Sequence, residues 1–278
     1  MATPQISVLT VNYESAADVR TLAASLMEHG DGLCVELIVA NNSPAESLEL
    51  PSGDRLAIRV LDIGANVGYA SGVNRALQHA GAPIVMVANP DVRVVGGTLT
   101  GAIGILQRTP DAGLLLPLLR YPDGSIQSSI RRFYTWPVIL FARSPLRALT
   151  HEPPFFRRYL YSDLDRSRPA DVDWGLGAAM FLRREEWGDG PLFDERFFMY
   201  FEDVDLCLRI WGGGRRVVYR PEVECRHEHR RASGNPLSKA GWHHFRSLVR
   251  FVRKHGGLPQ RAAVAQATPA RSDTDRSR

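Results

Sequence analysis

The chain has 278 residues, of which 44% are hydrophobic and 23% are charged, values that are ordinary for a globular protein. A chain of this length buries a large core without cross-links, which excludes a small disulfide-rich fold, wholesale disorder and collagen-like repeats. Its 34 basic and 30 acidic side chains leave a net charge of +4, too small a surplus to indicate a nucleic-acid partner.

The cysteines and the N-terminus bear on the cellular compartment. Cys34, Cys207 and Cys225 form no CxxC pair, so neither a zinc ribbon nor a redox dithiol is expected. Such sparse cysteines are typical of a reducing compartment. The first residues lack the basic and apolar regions of a secretion signal, and no run approaches the ~18 apolar residues of a membrane span. We therefore expect a cytoplasmic protein which, if its partner lies in a membrane, visits only the membrane surface.

The first half of the chain alternates short β-branched runs with helical patterns. Strands are predicted at 6–11, 35–40, 58–63 and 84–88, and helices at 16–28 and 71–78. This alternation predicts an α/β fold with a mostly parallel central sheet and helices on both faces. Chemistry in such sheets lies at the carboxyl ends of the strands, where this chain carries Asn12, Asn41 and Asp91.

The second half is less regular. Residues 131–170 are rich in arginine, proline and aromatic residues, which predicts a flexible loop or a lid. A helix is predicted to end at the glycines 212–214, a short strand at 217–219 to stop before Pro221, and a basic helix to cover 237–255. The tail 259–278 has almost no large apolar residue and is predicted to be disordered.

Two acidic segments are candidates for chemistry. Asn89-Pro90-Asp91 follows an apolar strand, where a carboxylate is placed to hold a divalent cation, although the same tripeptide is ordinary turn chemistry. Glu202 and Asp203 open a predicted helix, where the helix dipole favours acids in any case. The four large apolar residues before them favour a further role, because a carboxylate beside aromatic surface suits a general base.

Three weaker patterns stay open between a functional and a structural role. The alternate histidines of 227–229 suit metal ligation or are solvated side chains. The glycine-rich stretch 64–74 suits a phosphate at a helix N-terminus or is a simple loop. The basic helix at 237–255 suits an anionic membrane or is a packed surface helix.

The order of the segments resembles the family 2 glycosyltransferases, most nearly the bacterial rhamnosyltransferase-like branch that acts on cell-surface polysaccharides. The segments that carry this resemblance are ISVLTVNYES, ELIVANNSPAE, NVGYASGVNRAL, VMVANPDV, GLGAAMFLRRE, FDERFFMYFEDVDLCLR and VVYRPEVECRH. The resemblance spans 6–256 and implies a GT-A fold that moves a sugar, with inversion, from a nucleotide diphosphate to an acceptor hydroxyl. We expect one domain over 1–258, with a nucleotide-sugar half at about 1–115 and an acceptor half at about 116–258.

The resemblance also implies roles for single residues. Asp203 matches the general base, and the acceptor side carries Glu202, Gly177 and Ala178. Asp91 matches the last acid of the metal-binding element and His227 a histidine that completes it, which implies Mg²⁺ or Mn²⁺. The residues implied on the donor side are Thr10, Asn12, Glu14, Asn41, Asn66, Gly68, Asn89 and Asp91.

The identities of the donor and the acceptor are implied by the resemblance, because no single residue indicates them. L-rhamnose from dTDP-rhamnose is the expected donor sugar, with a glycan or polyprenyl-linked acceptor and a peripheral contact with anionic membrane. Ala40 stands where relatives usually carry an aspartate that touches the nucleoside, and Asn89 where they carry an acid. These departures leave open a non-catalytic member that binds a nucleotide-sugar or glycan. A sugar nucleotidyltransferase is the third alternative, although the N-terminus lacks its glycine-rich basic signature.

Overall fold

The computed structural model describes residues 3–43, 45–51, 53–144, 151–188, 190–228 and 239–260. The strands are β1 (Ile6–Asn12), β2 (Val35–Asn41), β3 (Leu56–Asp62), β4 (Ile84–Ala88), β5 (Val92–Val94), β6 (Ala112–Arg120), β7 (Ile130–Arg131), β8 (Ala170–Asp171), β9 (Trp174–Gly175), β10 (Ala179–Arg183) and β11 (Arg216–His227). The helices are α1 (Ala16–Glu28), α2 (Tyr69–Leu77), α3 (Thr98–Arg108), α4 (Trp136–Arg143), α5 (Pro154–Tyr159), α6 (Glu202–Gly212) and α7 (Lys239–His255).

A nine-stranded sheet forms the centre of the described structure, in the order β3-β2-β1-β4-β10-β6-β11-β5, with β8 beside β11. Strands β1 to β4 are mutually parallel, and β6 is parallel to β11. Strands β10, β5 and β8 run in the opposite direction, so six of the nine strands share one direction. β7 and β9 form a separate antiparallel pair.

Helices bury both faces of the sheet. Val19 of α1 and Leu99 of α3 pack into the core on one face, whereas Val73 of α2 and Leu206 of α6 pack into the core on the other. Burial on both sides explains why β1 is apolar almost throughout rather than alternating. The predicted α/β class with a mostly parallel sheet and helices on both faces is confirmed.

The predicted elements of the first half agree closely with the structure. α1 and β4 have the predicted bounds, and β1 and β2 each run one residue further. That extra residue pairs Asn12 with Asn41 at the carboxyl end of the sheet. α2 begins two residues earlier than predicted, at Tyr69.

The prediction that the strand at 217–219 stops before Pro221 is wrong, because β11 continues through Pro221 to His227. The register against β6 shifts between Arg220 and Glu224, so the proline lies in a bulge. A bulged residue donates no ladder hydrogen bond, which is why proline is tolerated there. The longer strand carries His227 to the rim that Asp91 also occupies.

For residues 131–170 the sequence predicts a flexible loop or a lid, and a flexible loop is wrong for part of this range. The stretch contains α4 and α5, which pack through the rings of Phe141 and Phe156 at 5.0 Å between centroids. Burial of Phe156 offsets the entropy of ordering the segment. Residues 145–150, His229 and the predicted disordered tail from 261 onward lie outside the described residues. Within the described part, no helix has the length and apolar character needed to cross a membrane.

Candidate active site

Asp91 and His227 meet at one edge of the sheet. β5 pairs with β11 so that Val92 lies opposite His227, and the Glu228 N–H donates to the Asp91 carbonyl at 3.2 Å. This pairing places His227 Nε2 3.3 Å from Asp91 Oδ1. His227 is buried and Asp91 is largely buried, so a carboxylate and an imidazole face each other with little water between them.

Gln127 determines how the His227 ring is held. Its side-chain nitrogen donates to the His227 carbonyl at 2.6 Å, so its oxygen is the atom that faces the ring, 2.9 Å from Nδ1. An amide oxygen only accepts, so Nδ1 donates to Gln127, and Nε2 is the ring atom that faces Asp91. A proton or a cation between Nε2 and the carboxylate oxygen stabilises this arrangement.

The donor set fits a divalent cation that substrate helps to hold. The described residues contain no group of three or more His, Cys, Asp or Glu side chains able to hold a metal by themselves. Mg²⁺ in phosphate-transfer sites is commonly held by one or two protein ligands together with substrate phosphates. Asp91 and the Nε2 of His227 match that pattern. Asn89 lies beside them and its N–H donates to the Ala178 carbonyl at 2.8 Å.

Asp203 stands at the start of α6, held by two backbone donors. The Val204 N–H donates to Oδ1 at 2.8 Å and the Gly177 N–H donates to Oδ2 at 3.1 Å. Burial raises the pKa of Asp203 to about 6, against these two hydrogen bonds, which lower it. A carboxylate with a pKa near neutrality is ionised at physiological pH and still basic enough to take a proton.

Glu202 is the more buried member of the acidic pair. Its Oε2 has no hydrogen-bond partner among the described residues. Burial and then the charge of Asp203 raise the pKa of Glu202 well above its usual value. Burial thus disfavours the charged form of Glu202, which lies directly beside Asp203 and its two backbone donors.

The backbone before α6 is strained. Tyr200 and Phe201 both have φ of 70°, a left-handed conformation that bulky residues rarely adopt. The Phe201 ring is held 5.2 Å from Tyr134 and 5.3 Å from Phe251, measured between centroids. This aromatic packing stabilises the turn that aims Glu202 and Asp203 at the rim.

Three residues at this site were not identified from the sequence: Gln127, Tyr69 and Arg131. Tyr69 donates from its hydroxyl to the Gly177 carbonyl at 3.1 Å. Burial raises the pKa of Tyr69 most, followed by the nearby charges of Glu202, Asp203 and Asp91, so its hydroxyl is near both acidic groups. The charge of Arg131 lowers the pKa of Asp203. Tyr69 belongs to a segment that carried the family resemblance, but no local pattern distinguishes Gln127 or Arg131.

The asparagines at the ends of β1 and β2 are engaged with each other. Asn12 Nδ2 donates to Asn41 Oδ1 at 2.9 Å and to Glu46 Oε2 at 3.0 Å, and Asn41 Nδ2 donates to Asp62 Oδ1 at 2.8 Å. Thr10 is buried, and its hydroxyl has no partner among the described residues. These amides tie three strands together at the rim.

Backbone contacts join the two turns that follow β1 and β2. Glu14 is exposed, has φ of 54° and donates from its N–H to Ser43 Oγ at 2.7 Å. This hydrogen bond holds the turn after β1 against the turn after β2.

The glycine-rich loop packs against the segment before α6. Asn66 Oδ1 accepts from the Gly68 N–H at 3.0 Å, and the Tyr69 N–H donates to the Phe198 carbonyl at 2.8 Å. A Cβ on Gly68 would lie 2.5 Å from that same carbonyl. Ala40 is fully buried, so its side chain does not reach the rim.

No protein-family model matches the chain. Over 273 residues, it is 32% identical to N-acetylglucosaminyl-diphospho-decaprenol L-rhamnosyltransferase of Mycobacterium tuberculosis, covering 92% of this chain and 86% of that protein. The chain belongs to the rhamnosyltransferase-like family 2 glycosyltransferases. This glycosyltransferase is also 28% identical to a rhamnosyltransferase of Escherichia coli over 178 residues, which are 64% of each chain.

A solved structure supports the fold of this glycosyltransferase. A mannosyltransferase of Pyrobaculum calidifontis, in complex with GDP-mannose and Mn²⁺, superposes with a TM-score of 0.59 at 18% identity. The match covers 96% of this chain and 70% of that one. It confirms the GT-A fold, and the sequence relatives confirm a glycosyltransferase of cell-surface polysaccharide synthesis.

Proposed function

We propose that this glycosyltransferase moves a sugar, with inversion, from a nucleotide diphosphate to a hydroxyl of a glycan or polyprenyl-linked acceptor. The observation that carries the proposal is that the buried carboxylate of Asp203, bound by the Gly177 N–H, is joined to the Asp91 and His227 pair through the hydrogen bond from Asn89 to the Ala178 carbonyl. L-rhamnose from dTDP-rhamnose is the proposed donor, because both named relatives are rhamnosyltransferases. The proposed class is therefore an inverting, metal-dependent hexosyltransferase.

Asp203 is the proposed general base. As the acceptor oxygen attacks the anomeric carbon, the hydroxyl proton passes to a carboxylate oxygen of Asp203, and the bond from that carbon to the diphosphate breaks. The Gly177 and Val204 N–H groups hold the carboxylate at a fixed angle during the transfer. Glu202, whose pKa is raised by burial, lies beside the proposed acceptor position, and Gly177 and Ala178 leave space there because both residues are small.

The donor side is proposed to lie at the carboxyl ends of β1, β2 and β4. Asp91 and His227 would hold Mg²⁺ or Mn²⁺, which when bound neutralises the charge that gathers on the leaving diphosphate. Asn12 and Asn41 are engaged in mutual hydrogen bonds, so we propose that they shape the nucleoside pocket rather than read a charge. The other proposed wall residues are Thr10, Glu14, Asn66, Gly68 and Asn89.

Donor binding and acceptor binding are assigned to different parts of the chain. We assign donor binding to residues 1–115 and acceptor binding to 116–258, with the junction at Gly177, whose carbonyl accepts from Tyr69. A polyprenyl-linked acceptor places the enzyme at the inner face of the cell membrane, and the basic helix α7 supplies positive charge for a peripheral contact with anionic lipid.

The test combines nucleotide binding with turnover. The purified chain is titrated by calorimetry with thymidine, uridine and guanosine diphosphates, each with and without Mg²⁺ or Mn²⁺. Metal-dependent binding of one nucleotide that is lost in Asp91→Ala supports the donor site. Transfer from that nucleotide's sugar to a polyprenyl-diphosphate N-acetylglucosamine is then followed, and the anomeric configuration of the product is determined by NMR.

A non-catalytic member predicts a different outcome. It would bind the nucleotide with normal affinity and give no product with any acceptor, and Ala40 and Asn89 are the departures that favour it. A retained anomeric configuration would contradict the single-base mechanism, because retention requires a second displacement.

A further inference from the structure

Large apolar side chains are exposed on three helices of the acceptor half. Trp136 and Leu140 lie one turn apart on α4 with 53% and 69% exposure, Phe155 on α5 with 41%, and Trp242 and Phe245 on α7 with 57% and 52%. We call these five side chains the apolar face. The described residues contain four further exposed large apolar side chains, and they are scattered over β3, α1 and two loops.

Core packing does not account for the exposed side of α7. Phe251 is buried against Phe201, and Ser247 donates to the Met199 carbonyl at 2.8 Å, so these residues mark the face that packs on the core. At about 100° per residue, Trp242, Phe245 and Val249 fall together on a different side of the helix. The rings of Trp242 and Phe245 stack with 5.9 Å between centroids. α7 therefore carries a second apolar stripe that faces outward.

The three helices lie next to one another. Phe141 of α4 contacts Phe155 of α5 with 5.7 Å between ring centroids. Beyond the end of α7, Gln260 donates to the carbonyl of Tyr134 at 2.9 Å, just before α4 begins. Near the other end, burial and then the charge of Arg143 lower the pKa of His244 to about 4. α7 thus runs alongside α4, and the apolar face belongs to one side of the molecule.

The surroundings of the apolar face are positively charged. Residues 131–158 contain six arginines and one acid, Glu152, and residues 239–256 contain five lysines or arginines and no acid. Arg157 and Arg158 are exposed beside Phe155. An acidic protein partner or an anionic lipid surface would complement this charge, and the exposed tryptophans favour lipid, since indole rings settle at the level of lipid headgroups.

We propose that α4, α5 and α7 form a docking face that inserts its apolar side chains into the interface of an anionic bilayer. The ring of Tyr134, which precedes α4, lies 5.2 Å from Phe201, and Phe201 directly precedes Glu202 and Asp203. An acceptor whose lipid tail stays in the bilayer therefore reaches the base from the membrane surface. The docking face extends the peripheral lipid contact proposed above for α7. The link to the acceptor rests on the catalytic part of the proposed function, whereas lipid binding by the face is measured without it.

The test is flotation of the full chain with vesicles in the absence of sugar nucleotide. Vesicles of phosphatidylcholine alone are compared with vesicles that contain phosphatidylglycerol. We expect the wild type to float with the anionic vesicles, and Trp136→Glu/Leu140→Glu and Trp242→Glu/Phe245→Glu each to lower the partition coefficient by roughly tenfold or more. Met27→Glu is the matched control, because Met27 is exposed on α1 and belongs to the other face of the sheet. It should float like the wild type.

Milder variants and a second readout guard against misfolding. Trp136→Ser and Trp242→Ser should weaken flotation in the same direction with unchanged circular dichroism. Absence of flotation by the wild type, or equal flotation of wild type and both double variants, overturns the docking face. A wild-type dimer that dissociates in the double variants and ignores vesicles also overturns it, in favour of a second copy as occupant.

Turnover separates this proposal from the proposed function. The double variants should transfer sugar normally to a short-chain, water-soluble acceptor and lose transfer to the same acceptor embedded in vesicles. Normal flotation together with no transfer to any acceptor refutes the proposed function and leaves the docking face intact.

Discussion

Asp203 differs from an ordinary surface carboxylate in its burial and in its hydrogen bonds to backbone N–H groups. It combines burial, which favours the neutral acid, with two backbone donors that favour the anion, and the balance leaves its pKa at about 6. The neighbouring Glu202 has no donor to its buried Oε2, and burial and then the charge of Asp203 raise its pKa well above the usual value. Burial and hydrogen bonding together therefore give the two adjacent acids different environments.

The protonation of Asp203 predicts the pH profile of transfer. A general base works only when ionised, so kcat/KM should be level above about pH 6 and fall by about tenfold per pH unit below it. Asp203→Asn should lower kcat by roughly 10²- to 10⁴-fold and leave nucleotide binding unchanged. Initial rates across pH and calorimetry check both. Full activity of the variant would remove Asp203 from the mechanism.

Gln127 is predicted to act on the donor side through His227. Gln127→Leu removes the acceptor for Nδ1 and should weaken the Mg²⁺-dependent part of nucleotide-diphosphate affinity by roughly 10- to 100-fold. Gln127→Glu keeps an acceptor for the ring and should retain more of that affinity. Calorimetry with and without Mg²⁺ separates the effects, since metal-free binding should not change. Equal losses in both variants would show that Gln127 serves only to hold the strand.

At the scale of elements, the site depends on two loops that meet. The start of α2 packs on Phe198, and the strained turn at Tyr200 and Phe201 aims α6 at the rim. α6 is in turn fastened to α7, because Asp205 is fully buried and pairs with Lys254 at 2.7 Å and His255 at 2.8 Å. The helix that carries Asp203 and the helix that carries the outward apolar stripe are therefore held together.

Gly68 and Gly64 offer a matched pair of substitutions in one loop. Both have positive φ, but a Cβ on Gly64 meets nothing within 4 Å, whereas one on Gly68 would clash with the Phe198 carbonyl. Gly64→Ala should lower the free energy of unfolding by about 1 kcal/mol, from backbone conformation alone. Gly68→Ala should lower it by roughly 1–3 kcal/mol more and should also lower activity. Denaturant unfolding and initial rates measure both, and equal costs would show that the loop yields easily.

Asp205→Asn tests the fastening of α7. Removing a buried charge that pairs with several cations should lower the free energy of unfolding by roughly 3–5 kcal/mol and speed amide exchange in α7. The exposed pair of Asp165 with Arg168 is the control, and Asp165→Asn should cost at most about 1 kcal/mol.

The pKa of Asp205 sets the direction of the pH dependence. Burial raises the pKa of Asp205, but hydrogen bonds from His255 and Lys254 and the charge of Arg209 outweigh it and hold the pKa below its usual value. Its stabilisation is therefore present above about pH 4 and lost as the pH falls further. A variant as stable as the wild type at neutral pH would show that α7 is held by apolar packing alone.

At the scale of the whole molecule, polar groups and exposed apolar groups lie in different places around the sheet. The rim that joins β1, β2, β4 and the end of β11 gathers the polar groups, and the helices beyond α6 present apolar and basic surface. In the proposed function, the donor and the membrane would therefore approach Asp203 from different sides of the molecule.

Nucleotide binding should appear as global stabilisation. A ligand at 100 times its dissociation constant raises the free energy of unfolding by about 2.7 kcal/mol. We expect one nucleoside diphosphate with Mg²⁺ to raise the melting temperature, and Asp91→Ala to abolish that rise. Differential scanning fluorimetry across thymidine, uridine and guanosine diphosphates measures it. No shift with any nucleotide would indicate that the donor site has been lost.

The sequence alone determined the α/β class and the bounds of α1 and β4, and it identified Asp91 and Asp203 as candidate site residues. These features depend on the local sequence. Apolar runs specify buried strands, and the segments that resemble the family contain the two acids. Tertiary structure decided which residues act together. His227 reaches Asp91 because a bulge carries β11 past Pro221, and Gln127 reaches His227 across 100 residues of chain. Strand pairing between distant segments depends on the whole core, which no local pattern encodes.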